Sequence, residues 1–182
     1  MPASKTQQVR VGRLRSGARA KGKTGRQQFD ALIREFRKAI ELNGVQEFWE
    51  SRRKQQLRQR PESLAQVALS IFLHAPVKAR NGLVLREVGS GTGYVDVLAM
   101  FGRSRLYMVE LKILRSSRIG GFRQLARYLE LHSLAEGWLL LFDTRPWRRR
   151  TLVSDHDRII DGKVVNVVVI DINPPPPSSL DR

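Results

Sequence analysis

The sequence predicts an α/β domain with a mixed sheet flanked by helices, preceded by a basic helical extension. Three observations support this. Period-two alternation runs through 83–88, 94–101 and 106–114, three strand-like segments in succession. A helical segment, 122–135, then leads into the wholly apolar run from Trp138 to Phe142, as expected for a strand covered on both faces. Finally, the 182 residues are 41% hydrophobic, enough for one domain with a real core. The order helix, three strands, helix, strand implies a crossover helix and hence a mixed sheet.

Along the chain, residues 1–28 carry eight basic side chains and no acid, and read as a flexible basic arm. A helical basic extension, 29–60, follows. In it Phe29, Leu32, Ile33, Phe36 and Ile40 recur at helical spacing until Gly44. A second helix is expected from Val45 to about Gln59, carrying Arg52, Arg53, Lys54, Arg58 and Arg60. The main domain is expected over 61–173. Pro61 suits the first turn of a third helix, with Glu62 where the helix dipole favours an acid. Leu64, Val67, Ala68, Ile71 and Phe72 are its expected buried stripe, and Pro76 its end. Gly137 is expected at the C′ position after the helix 122–135. The stretch 144–162, with Arg148, Arg149 and Arg150 together, reads as basic and irregular. A last strand, 164–172, and a stiff proline-rich tail, 174–182, complete the chain.

The formal net charge of +16 directs attention to polyanions, of which nucleic acid is the foremost for a soluble protein. The absence of cysteine excludes disulfides, zinc–thiolate sites and a cysteine nucleophile. No apolar run reaches the ~20 residues of a membrane span, and the first 28 residues hold no apolar signal-peptide region. The chain is therefore expected to be soluble, with no membrane partner. Gly17 to Thr24 satisfies the Walker A expression, but the arginine-studded residues before it offer no buried strand. Gly89-Ser-Gly-Thr-Gly93 lies between two strands, so it is expected to bend the chain and not to cradle a dinucleotide.

Three charged residues interrupt apolar strands: Asp96, Glu110 and Lys112. A hairpin with Gly102, Arg103 and Ser104 as its loop places Asp96 opposite Glu110, and Lys112 two residues on along the same face. Val95, Val97, Ala99, Val109, Leu111 and Ile113 are then expected on the other face, as core. Two carboxylates ~5 Å apart repel by about 3 kcal/mol at an effective dielectric of 20, and one lysine cannot offset both. A divalent cation would, and magnesium takes few carboxylates when water and phosphate complete its shell.

Gly93-Tyr94-Val95-Asp96, then Glu110-Leu111-Lys112, then Gln124-Leu125 with Tyr128 resemble the motifs of the PD-(D/E)XK nuclease superfamily, the restriction-endonuclease-like fold. Glu62 matches the acid that many members carry on the preceding helix. The resemblance spans roughly residues 61–143. More narrowly, Leu85-Arg86-Glu87 through Asp143-Thr144-Arg145-Pro146 looks like the nuclease-like domain appended to prokaryotic AAA-type ATPases. Tyr94 is a departure, standing where the narrower family often has Arg or a small or polar residue; the Pro of the superfamily's name is missing too.

The resemblance implies that Asp96, Glu110 and the Leu111 carbonyl bind one Mg²⁺ or Mn²⁺. Lys112 would position the attacking water or stabilise charge on the phosphate, Gln124 would orient a water or Lys112, and Glu62 would help hold a second metal. The implied activity is metal-dependent hydrolysis of phosphodiester bonds in nucleic acid, DNA above RNA. The alternative is a catalytically silent DNA-binding or assembly module of the same fold. The resemblance also implies a cytoplasmic protein of a prokaryote or phage, and a homodimer is one option. Basic residues of the arm, Arg52 to Arg60 and Arg148 to Arg150 would hold the backbone electrostatically. If about six phosphates are engaged, the log of the binding constant should fall against log salt with a slope near −5, measurable by anisotropy titration across salt concentrations.

Overall fold

The computed structural model describes residues 24–91, 93–102, 104–145 and 154–173. The arm up to residue 23, Arg103, Arg148 to Arg150 and the proline tail lie outside the described residues. In chain order the elements are α1 (Gly25–Ala39), β1 (Trp49–Ser51), β2 (Gln56–Leu57), α2 (Pro61–Lys78), β3 (Leu83–Ser90), β4 (Gly93–Phe101), β5 (Arg105–Leu114), α3 (Phe122–Leu131), β6 (Glu136–Asp143), β7 (His156–Ile160) and β8 (Lys163–Asp171).

Six strands form one mixed sheet in the order β3-β4-β5-β6-β8-β7. β3, β4 and β5 are an antiparallel meander; α3 crosses over so that β6 runs parallel to β5, and β8 lies parallel to β6. Helices α1 and α2 cover one face through Phe29, Phe36, Leu69, Leu73, Val97 and Leu111. The other face packs on α3 through Leu125, Tyr128, Leu129, Met108, Leu139 and Leu141. β6 is buried from Gly137 to Asp143, which accounts for its wholly apolar middle. A mixed sheet flanked by helices, behind an N-terminal helix, is thus the architecture. Among the described residues no helix is long and apolar enough to cross a membrane.

Helix α1 starts at a capping box, with Thr24 accepting from the Gln27 amide and Gln27 returning the bond, and buries Phe29, Ile33 and Phe36. The expected helix over 45–59 does not form. After a short turn, Val45–Phe48, the chain enters the β1–β2 hairpin. Local propensity loses here to two tertiary anchors. The Phe48 ring lies 5.3 Å from that of Phe142, and Trp49 Nε1 donates to the Ile172 carbonyl at 2.6 Å. The basic cluster therefore sits on a hairpin and its exit, not on a helix face.

The α2 stripe is displaced in part: Leu64, Ala68 and Phe72 are half-buried and pack against the core as expected, but the fully buried face lies to one side of them. Ala65, Gln66, Leu69, Leu73 and Val77 are buried, whereas Ile71 is 71% exposed. An almost uniformly apolar helix has no period that selects a face, so packing selects it. Pro76 does not end the helix: it lies in the last turn, and α2 continues to Lys78. Helix α3 stops at Leu131, earlier than expected, with Ser133 taking the left-handed φ of 53°. Gly137 instead lies within β6, where a Cβ would come within 3.0 Å of Leu129 and 3.1 Å of Leu125. Its role is to let α3 approach the sheet.

The stretch expected to be irregular contains β7. Asp161 (φ 49°) and Gly162 (φ 75°) form a two-residue loop with both angles positive, joining β7 to β8. That Asp-Gly pair is a strong hairpin signal. The reassigned α2 face makes a direct prediction. Leu69→Ala should lower unfolding free energy by about 2–5 kcal/mol, and Ile71→Ala by less than about 0.5 kcal/mol, as measured by urea denaturation.

Candidate active site

β4 and β5 pair in the expected register from Phe101↔Arg105 to Val97↔Val109, and there the ladder ends. β5 continues to Leu114, still paired with β6 on its other side. Its amides at Leu111 and Ile113 therefore face a gap that β4 has vacated. Two carboxylates fill the place of the missing strand. Asp96 Oδ2 accepts from the Leu111 N–H at 2.7 Å, and Glu62 Oε1, from α2, accepts from the Ile113 N–H at 3.1 Å. Unpaired buried amides are costly, so these bonds hold the gap open as a polar cleft within the sheet. In an antiparallel strand the N–H and C=O of one residue point the same way, so the Leu111 carbonyl faces the same gap.

The strand alternation expected for β4 fails at Asp96. Val97 and Ala99 pack in the core under α1 and α2, but Val95 packs in the core under α3. Opposite Asp96 on β3 is Glu87, with φ of 50°, and the β3–β4 pairing skips from Arg86↔Val97 to Val88↔Val95. Asp96 consequently leans into the gap toward α2. Glu110 and Lys112 point to the α3 side, where a Cβ at Gly121 would lie 3.2 Å from Lys112 Cγ. The three residues meet across the gap without sharing one flat face.

Glu110 is fully buried. Lys112 Nζ stands 2.7 Å from Glu110 Oε1 as a charge-assisted pair, whereas the buried Oε2 has no hydrogen-bond partner. Burial, reinforced by the Asp96 and Glu62 charges and opposed by Lys112, pushes the Glu110 carboxyl up to about 7. Burial likewise raises Asp96, against the Leu111 N–H, Lys112 and Gln66, which favour its charge. Burial works against the Lys112 ammonium, yet Glu110, Glu62 and Asp96 outweigh it and raise its pKa.

Asp96, Glu110 and the Leu111 carbonyl could hold a hard divalent cation, which would satisfy the unpartnered Glu110 Oε2. Among the described residues no three His, Asp or Glu side chains converge as a metal-holding group. A cation here would have two carboxylates from the protein and would draw its other ligands from main chain, water and substrate.

One site residue was missed in the sequence. Gln66, one helical turn after Glu62, is 8% exposed and donates from Nε2 to Asp96 Oδ1 at 2.7 Å, leaving its buried Oε1 without a partner. Two polar residues at i, i+4 on an otherwise apolar helix were the available signal. Gln124 donates to Tyr128 Oη at 3.2 Å. That hydroxyl lies over Gly93, where a Cβ would come within 2.2 Å of it, so the Gln124–Tyr128 pair packs against the start of β4. Arg52, Arg53, Lys54, Arg58 and Arg60 are all exposed. Arg60 and Arg115 flank an open groove of about 530 Å³ lined also by Glu62, Gln66 and Glu87. Gly91, with φ of 61°, turns β3 into β4, the expected role of the glycine-rich run. At the far end of β6, the Arg145 guanidinium forms a buried bidentate pair with Asp143, and Thr144 ties β6 to the Leu114 carbonyl.

A family model described as Domain of unknown function (DUF8371) matches residues 26–145, more than half of the chain, and the chain belongs to that family. The match takes in Glu62, Gln66, Asp96, Glu110, Lys112 and Gln124. No curated protein and no solved structure matches the chain.

The raised Glu110 pKa links the site to stability. Because the folded value of about 7 exceeds the ordinary 4.5, the folded state binds this proton more tightly than the unfolded chain. The associated stability is complete below the unfolded value and is lost as pH rises through the folded one, by about 3 kcal/mol. In metal-free buffer, urea midpoints should therefore fall between pH 5 and pH 8 for the native chain. Glu110→Gln should flatten that fall and leave the variant the more stable at pH 8, because no carboxylate then has to ionise in that buried place.

Proposed function

We propose that this chain is a metal-dependent nuclease of the PD-(D/E)XK type that hydrolyses phosphodiester bonds in nucleic acid, DNA in preference to RNA. The observation that carries this reading is Glu110: a fully buried carboxylate beside the Asp96 carboxylate in a gap of the sheet, with the single ammonium of Lys112 at 2.7 Å from one oxygen and no donor on the other. Burying two neighbouring carboxylates against one ammonium is costly, and active sites are where that cost recurs. The αβββαβ order and the mixed sheet support the restriction-endonuclease-like assignment at the level of architecture.

Asp96 and Glu110, with the Leu111 carbonyl, would hold Mg²⁺ or Mn²⁺. When bound, the ion lowers the pKa of a water and neutralises charge on the scissile phosphate. Gln66 fixes the Asp96 carboxylate in place, and the Leu111 N–H holds its other oxygen. Lys112, one ion-pair distance from Glu110, is placed to stabilise charge developing on the phosphate and to orient the nucleophile. Glu62 is engaged with the Ile113 amide through Oε1 and borders the groove, where a second cation would meet it. The exposed Arg60 and Arg115 at that groove would attract the sugar–phosphate backbone.

The test is incubation with supercoiled plasmid, linear duplex and branched DNA in Mg²⁺, Mn²⁺ or EDTA. Cutting should require the metal and should fall by at least about 100-fold in Asp96→Asn and Lys112→Ala. Binding without cutting under every metal, unchanged by either substitution, would overturn the enzyme reading and leave a silent nucleic-acid-binding module.

A further inference from the structure

Of the described aromatic side chains, Tyr94 alone is exposed, at 65%, while the others lie in or against the two cores. Its position is specific. It lies on β4 two residues before Asp96, and on either side of it Gly93 and Val95 face α3: Gly93 meets the Tyr128 hydroxyl, and Val95 joins the α3-side core. Strand alternation therefore turns Tyr94 to the opposite side, toward which Asp96 also leans as it bonds Gln66 of α2. Two residues of strand separate them by about 7 Å.

The surroundings of the ring are open. Its cross-strand neighbour is Gly89, where an added Cβ would meet nothing within 4 Å. β3, which carries Gly89, is an edge strand of the sheet, so nothing lies beyond it in the sheet. A flat aromatic face is thus presented to solvent within a nucleotide's reach of the candidate metal centre.

We propose that Tyr94 is a stacking platform for a nucleobase next to the phosphate held at Asp96 and Glu110, so that the protein selects nucleic acid with an unpaired nucleotide at that position. This rests on the nucleic-acid reading above and names its substrate class. Stacking on an aromatic side chain suits any base, and a base offers a free face to protein only where it is unpaired: in a single strand, at a frayed end or at a branch. In duplex interior both faces are already covered by neighbours.

The experiment is a fluorescence titration in EDTA, which prevents turnover, using oligonucleotides with 2-aminopurine at successive positions. Single-stranded DNA, single-stranded RNA and duplex DNA are compared for the native chain, Tyr94→Phe and Tyr94→Leu. Tyr94 is exposed and makes no core contact, so both variants should fold, as their urea midpoints would verify. The native chain and Tyr94→Phe should quench 2-aminopurine in single strands. Tyr94→Leu should lose the quenching and bind single strands about 10-fold more weakly, with duplex affinity retained. Comparing DNA with RNA shows which sugar accompanies the stacked base.

Single-strand binding and quenching unchanged in Tyr94→Leu would overturn the platform and leave the nuclease reading standing. Equal quenching of bases inside duplex would overturn the preference for unpaired nucleotides. Failure of the native chain to bind any of the three ligands would overturn both this inference and the reading on which it rests.

Discussion

Everything at the candidate site depends on the point where β4 stops pairing with β5. Past Val97↔Val109 the two strands part, and β5 is left with amides at Leu111 and Ile113 that have no strand to bond. In a buried sheet that is an expensive defect. The chain repairs it with side chains: Asp96 from β4 itself and Glu62 from α2. Because carboxylates make the repair, negative charge accumulates inside the sheet, and Glu110 and Lys112 complete a cluster of four ionisable groups. The same geometry that satisfies the backbone thus assembles the chemistry.

This arrangement shapes the energetics of the fold. Glu110 is held in a place where its ionised form is disfavoured by burial first and by two neighbouring carboxylates second. Hydrophobic layers on both faces of the sheet, with Phe29 stacked on Tyr107 at 4.5 Å on one side and α3 seated on Gly137 on the other, keep the cluster in place. Hydrophobic layers that hold an unfavourable charged centre are what the proposed site would require, at a cost in stability. Gln66 contributes to both sides: it orients Asp96, and it leaves its own buried carbonyl oxygen unpartnered.

Much of this was legible in the sequence. Strand periodicity located β3, β4, β5 and β8 to within a few residues, and the all-apolar run identified β6 as the covered strand. The Asp96, Glu110 and Lys112 constellation stood out because charge broke an apolar pattern. The misread segments share a cause. Helix α2 is apolar on too many sides for its period to select a face, and residues 45–59 have helical composition but are captured by the Phe48 and Trp49 anchors. β7 was missed for a different reason: its Asp161-Gly162 turn signal sits in a basic stretch that resembles a loop.

By itself the sequence determined the order of elements from α2 to β6, the β4–β5 hairpin register and the identities of the charged residues at the centre, because each is encoded locally by period, turn chemistry or composition. Only the tertiary structure decided that Asp96 leaves the alternation of its strand, that Gln66 and Glu62 reach across from α2, and that Tyr94 is the one described aromatic turned to solvent. These depend on the divergence of two strands and on which face of α2 packs against them. Such long-range choices are made by burial and by unpaired amides seeking partners, and they leave no periodic trace in the chain.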